Sequence, residues 1–193
     1  MREQFTDNEW SQLKLLPIYV YTLIAGADGK IDEKEERALN NTLKRAEKIV
    51  DPLHRELLVE IAEGGPDTLK SLIAEALKNP NMVDPKDQSI TIGQARNIGY
   101  AETLIAKNPH IEKIIRPMMN ILVEHLSQDE QRHFLASIYV FGKRIARSSG
   151  GFLGFWSISM EEDAVLFPLI RVFGIDTHSV DVAMYELDRS YKF

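Results

Sequence analysis

Ile24-Ala25-Gly26-Ala27-Asp28-Gly29-Lys30-Ile31-Asp32-Glu33-Lys34-Glu35-Glu36-Arg37-Ala38 is the stretch whose reading decides the fold. It is the end of an apolar helix, a glycine turn, and the start of a helix whose first turn is crowded with carboxylates. Gly29 accepts the positive φ that a helix C-terminal turn asks for, so Asp28-Gly29 marks the end of the first helix. Asp32 caps the second helix with Glu35 as its capping-box partner, and acids in a first turn offset the positive end of the helix dipole.

Working outward, Thr6-Asp7-Asn8-Glu9 is a capping box. Trp10, Leu13, Leu16, Pro17, Val20 and Ile24 then recur at helical spacing, with Pro17 expected to bend or split the helix. Leu39, Leu43, Ala46 and Val50 form the stripe of the second helix. Asp51-Pro52 reads as an N-cap with proline at the first helical position. A third helix carries Leu53, Leu57, Leu58 and Ile61 to Gly64-Gly65, and a fourth carries Leu69, Leu72, Ile73 and Leu77. Asn79-Pro80 to Asp84-Pro85 is a loop. A fifth helix spans about 90–107, a sixth follows Asn108-Pro109 through Ile111 to Val123 with a kink expected at Pro117, and a seventh follows the Ser127/Glu130 capping box with Phe134, Leu135, Ile138, Phe141 and Ile145. An eighth opens at Ser159 and carries Val165, Leu166, Leu169 and Phe173 to Gly174; a ninth holds Val180, Ala183 and Leu187. About nine helices and no convincing strand make the class all-α, a compact multi-helix bundle.

The chain has 193 residues, which fits one domain able to bury roughly 70% of its unfolded surface. A net charge of −6 and a pI near 5.4 argue against a nucleic-acid binder and against attraction to anionic lipid. There is no cysteine, hence no disulfide, thiolate metal site or cysteine nucleophile. The N-terminus lacks the order of a signal peptide, and the most apolar run, 13–27, is shorter than the ~20 residues of a membrane span, so a soluble, cytoplasmic protein is expected.

The opening stretch has a degenerate copy. Ile24 to Gly29 aligns with Ile145-Ala146-Arg147-Ser148-Ser149-Gly150, and Ile31 to Glu36 with Ile158-Ser159-Met160-Glu161-Glu162-Asp163. The second copy carries an insertion within Gly151-Phe152-Leu153-Gly154-Phe155-Trp156-Ser157. These residues resemble the TerB-like helical family, named for bacterial tellurite-resistance proteins. Its members show a glycine turn, an isoleucine-like residue, a cap and paired acids, twice, and a helix ending that Val172-Phe173-Gly174-Ile175-Asp176 matches. The match covers roughly residues 18–50 and 138–190; the middle matches only in being helical.

The resemblance implies one TerB-like domain over 1–193, with halves at about 6–50 and 127–190 related by an approximate twofold axis and a helical middle at 51–126. It implies a non-enzymatic stress-response module, with membrane-associated protein partners, whose acidic helix ends bind a divalent cation such as Ca²⁺, Mg²⁺ or Mn²⁺. The residues carried over are Asp28, Asp32, Glu35 and Glu36 in the first copy and Glu161, Glu162 and Asp163 in the second. Ser149 stands where many repeats have an acid, so any site is expected to be asymmetric and centred on Asp28.

Carboxylates and turn carbonyls suit hard cations. The run is no EF-hand, lacking alternating acids before the glycine and a Glu at the twelfth position. Capping accounts for Asp32, Glu35, Ser159 and Glu162 without any metal, but not for Asp28. Glu130-x-x-His133 has the spacing of a di-iron helix pair, yet no second pair exists. A metal-dependent enzyme built from Glu35, Glu162 and a histidine is the alternative to a non-enzymatic module. No phosphate loop, nucleophile elbow or HExxH motif is present. Phe152, Phe155 and Trp156 either fold back over the bundle or anchor a partner, which would make a metal-free interaction subunit the third reading.

Overall fold

The computed structural model describes residues 1–27, 31, 33–79, 109–149, 160–175 and 181. Seven α-helices occur among them: α1 (Asp7–Ala25), α2 (Glu33–Leu43), α3 (Pro52–Glu63), α4 (Gly65–Leu77), α5 (Pro109–His125), α6 (Gln128–Ser149) and α7 (Met160–Phe173). Two 3₁₀ turns, Arg2–Gln4 and Ala46–Lys48, complete the elements, and no strand occurs among the described residues. The chain is all-α. The helices expected at about 90–107 and 177–187 lie outside the described residues.

The axis of the fold is α1. It packs against α3, α4, α5, α6 and α7, and from Leu15 to Ala25 every residue is buried. A helix apolar on all sides must be surrounded, and this one is. The buried Thr22 hydroxyl is satisfied within the helix: Thr22 Oγ1 donates to the carbonyl of Ile18 at 2.9 Å. The expected capping box is present, with Glu9 N donating to Thr6 Oγ1 at 3.3 Å and Thr6 N donating to Glu9 Oε2 at 2.8 Å. Pro17 does not split the helix, which runs unbroken from Asp7 to Ala25. The helix ends earlier than Asp28-Gly29: Gly26 is its C-cap, donating to the carbonyl of Thr22 at 3.0 Å.

The stripe expected for the second helix is corrected at its end. α2 stops at Leu43, and the chain tightens into the Ala46–Lys48 turn. That change of pitch rotates the following residues, so Ile49 is buried and Val50 is 45% exposed. In α5, Val123 is likewise outside the core at 63% exposure, while Leu122 beside it is fully buried. In α4, Leu77 is exposed and only Ala76 is buried, with Leu69, Leu72 and Ile73 partly covered. The expected core of α3, α6 and α7 is buried at every named position.

Side-chain contacts fasten α1 to α3. Trp10 Nε1 and Lys14 Nζ both donate to the Glu60 carboxylate, the lysine at 2.6 Å. Burial alone would raise the Glu60 pKa; the hydrogen bonds from Lys14 and Trp10 outweigh it and hold the carboxyl below its ordinary value. The Arg2 guanidinium lies over the Trp10 ring, 5.2 Å from its centroid.

Candidate functional site

The acidic start of α2 divides its paired acids. Glu35 points into the protein at 4% exposure and is engaged with neighbouring groups, whereas Glu36 is exposed. Consecutive helical residues are turned about 100° apart, so one faces the core and its neighbour faces solvent. Glu33 is also exposed and accepts from Arg37 at 2.8 Å, an i,i+4 surface pair. Asp28 and Asp32 lie outside the described residues. Glu161, Glu162 and Asp163 fall within α7, but their side chains are outside what the structure describes, as are Phe152, Phe155 and Trp156.

Glu130 is occupied as a cap. It accepts from Ser127 N at 2.8 Å and Ser127 Oγ at 2.6 Å, and these bonds hold its carboxyl below the ordinary range. Glu130 thus serves in starting α6.

Three ligand-bearing side chains do converge among the described residues, at a place the motif reading passed over. Glu9, in the first turn of α1, meets Glu124 and His125 at the C-terminal end of α5, with one ligand atom from each lying within 4.8 Å of the others. His125 Nε2 is 3.0 Å from Glu9 Oε1. The His125 hydrogen bond, followed by those from Thr6, brings the Glu9 pKa down to about 2. The Glu9 carboxylate thus has divided duties: Oε2 closes the capping box and Oε1 faces the imidazole. Glu9 is visible in the sequence as a cap, but its second oxygen and a partner 116 positions away leave no local signal.

His54 is the other buried polar feature. It is wholly enclosed, shares a 2.7 Å hydrogen bond through Nδ1 with Ser137 Oγ, and has no partner at Nε2. Phe134 and Phe141 meet its ring edge to face at 6.3 and 5.8 Å. Burial pushes its pKa down to about 3. A serine and a histidine at this distance suggest a nucleophile and its base, but both side chains are sealed within the packing of α3 and α6, so no substrate reaches them. The pair is structural.

Two grooves adjoin on the outer side of α3. One, of about 450 Å³, is floored by Leu43, Ala46, Val59 and Leu69 between the 3₁₀ turn and the start of α4. The other, of about 540 Å³, runs past Arg2, Trp10, Arg55 and Glu56. Glu47, Val59 and Glu63 line both. Glu47 and Glu63 are exposed and have no hydrogen bond or ion pair among the described residues. Lys44 is the cation on the rim of the first groove, while Arg55 is tied to the carbonyl of Ile49 at 3.2 Å.

No protein-family model, curated protein or solved structure matches the chain. No helix among the described residues is long and apolar enough to cross a membrane.

Proposed function

We propose that this chain is a non-enzymatic helical binding module whose partner presents a basic segment with an apolar side. The observation that carries this reading is the pair of adjoining grooves along α3, where an apolar floor meets two exposed, unpaired carboxylates, Glu47 and Glu63. Apolar surface supplies contact area, and unpaired carboxylates select for lysine or arginine on the incoming segment. The net charge of −6 adds long-range attraction for such a partner.

The resemblance to TerB-like proteins supports the same class: a stress-response module, related in its two halves by an internal repeat, acting in the cytoplasm beside membrane-associated partners. It also suggests a second reading, a divalent cation at the acidic start of α2. Glu35 is buried at that end of the helix and already engaged with neighbouring groups. The exposure of Glu36 on another side of the helix weighs against a site built from both acids.

Reversing the charge of Glu47 and Glu63 tests the groove. Binding of an amphipathic leucine–lysine peptide should weaken by about tenfold or more, equal to about 1.4 kcal/mol. Unchanged binding would remove the groove from the account.

A further inference from the structure

We propose that Glu9, Glu124 and His125 form a binding site for a borderline divalent cation, typified by Zn²⁺, that ties the start of α1 to the end of α5. This stands independently of the groove on α3 and of the acidic start of α2, since it shares no residue with either.

The ligand set decides the class of metal. One imidazole nitrogen with two carboxylates suits zinc, cobalt or nickel, whereas calcium and magnesium favour oxygen-only shells. Two carboxylates and a neutral imidazole also balance the two positive charges of the ion. Zinc holds such ligands at about 2.0–2.2 Å in a tetrahedron, which sets neighbouring ligand atoms about 3.3 Å apart. Glu9 Oε1 and His125 Nε2 already lie 3.0 Å apart, so the ion enters between them with little movement. Glu124 is exposed and closes from the solvent side, leaving the fourth position for water.

Both inner ligands are held by contacts made for other reasons. Thr6 donates its backbone N–H and its hydroxyl to Glu9 Oε2, each at 2.8 Å, which fixes the carboxylate with Oε1 turned to His125. The His125 ring lies 5.0 Å from the ring of Phe5, itself part of the core. Preorganised ligands of this kind lose little entropy on binding, and the capping hydroxyl acts as the outer-shell partner that metal carboxylates ordinarily have. Without metal, Glu9 Oε1 and His125 Nε2 share a hydrogen bond.

The test is calorimetric titration of ZnCl₂ into the full chain after chelator treatment, with CaCl₂ in parallel. Wild type should take up one zinc per chain and show no calcium binding that depends on His125. His125→Gln and Glu124→Gln should each weaken zinc by about tenfold or more, while Glu36→Gln leaves it unchanged. Glu124 is exposed, so its variant keeps the fold, and Glu9 is left intact to preserve the cap. Co²⁺ gives a second readout: the strong visible absorption of tetrahedral cobalt should form in wild type and vanish in His125→Gln. Absence of zinc binding, or zinc affinity unaltered in both ligand variants, would overturn the assignment.

Discussion

His54 on α3 and Ser137 on α6 share a 2.7 Å hydrogen bond in a part of the core that water does not reach. The bond joins two packed helices, and it leaves Nε2 of the imidazole without a partner. A proton on that nitrogen would place an uncompensated charge in the core, which is why the folded pKa sits at about 3 against an ordinary 6.5. Between those values the unfolded chain binds more protons than the folded one. Stability is therefore complete above the ordinary value and drains as pH falls towards the folded one, by up to about 1.4 kcal/mol per pH unit.

Urea unfolding at about pH 7 and about pH 5.5 checks this, since carboxylates with lowered values act further into acid. The wild-type midpoint should fall over that interval. The paired variant His54→Leu/Ser137→Ala should lose most of the fall, and an undiminished fall would contradict the assignment. Asp51, whose pKa burial raises against the opposing His54 N–H bond, acts with the opposite sign: its protonation favours the folded state and offsets part of the loss in stronger acid.

Gly142 and Gly65 are required for different reasons, and substitution separates them. A Cβ at Gly142 would meet Ile24 Cδ1 at 2.7 Å and Val20 Cγ1 at 2.8 Å, because α6 crosses α1 there at close range. Gly142→Ala should cost about 1–3 kcal/mol in denaturant unfolding. Gly65 has open space but a φ of +74°, so Gly65→Ala should cost about 1–2 kcal/mol. Asparagine tolerates that backbone and should recover part of the loss at position 65. At position 142 it should be worse than alanine.

Glu60 receives Trp10 and Lys14 together, joining α1 to α3 near the second groove. Glu60→Gln keeps the shape and removes the charge. Partial exposure of the pair limits the expected loss to about 1 kcal/mol, read as a shift in the denaturation midpoint at unchanged slope. A shift as large as that of a core truncation would show that the carboxylate supports more than these two donors.

The helices were legible because their boundaries carry chemistry. Thr6/Glu9, Asp51-Pro52 and Ser127/Glu130 all cap as their residue types require. Apolar spacing gave the buried faces of α3, α6 and α7, but it overran α2 at Val50, because a 3₁₀ turn changes the pitch without any glycine or proline to announce it. The sites were legible only where they are local. Glu35 and Glu36 look like a pair in the sequence and part in the fold, whereas Glu9 and His125, 116 positions apart, meet. No spacing rule finds such a meeting, nor the grooves that bring Glu47 beside α3.

The central claim is that the face along α3 receives a basic, apolar-sided segment, and affinity for an amphipathic leucine–lysine peptide tests it most directly. Two charge-reversed chains of equal net charge are compared, Glu47→Lys/Glu63→Lys and Glu33→Lys/Glu36→Lys. The first should lose about tenfold or more in affinity, the second should bind near the wild-type level, and binding should weaken as salt rises. Equal affinity in both, or a loss confined to the Glu33/Glu36 chain, would contradict the claim.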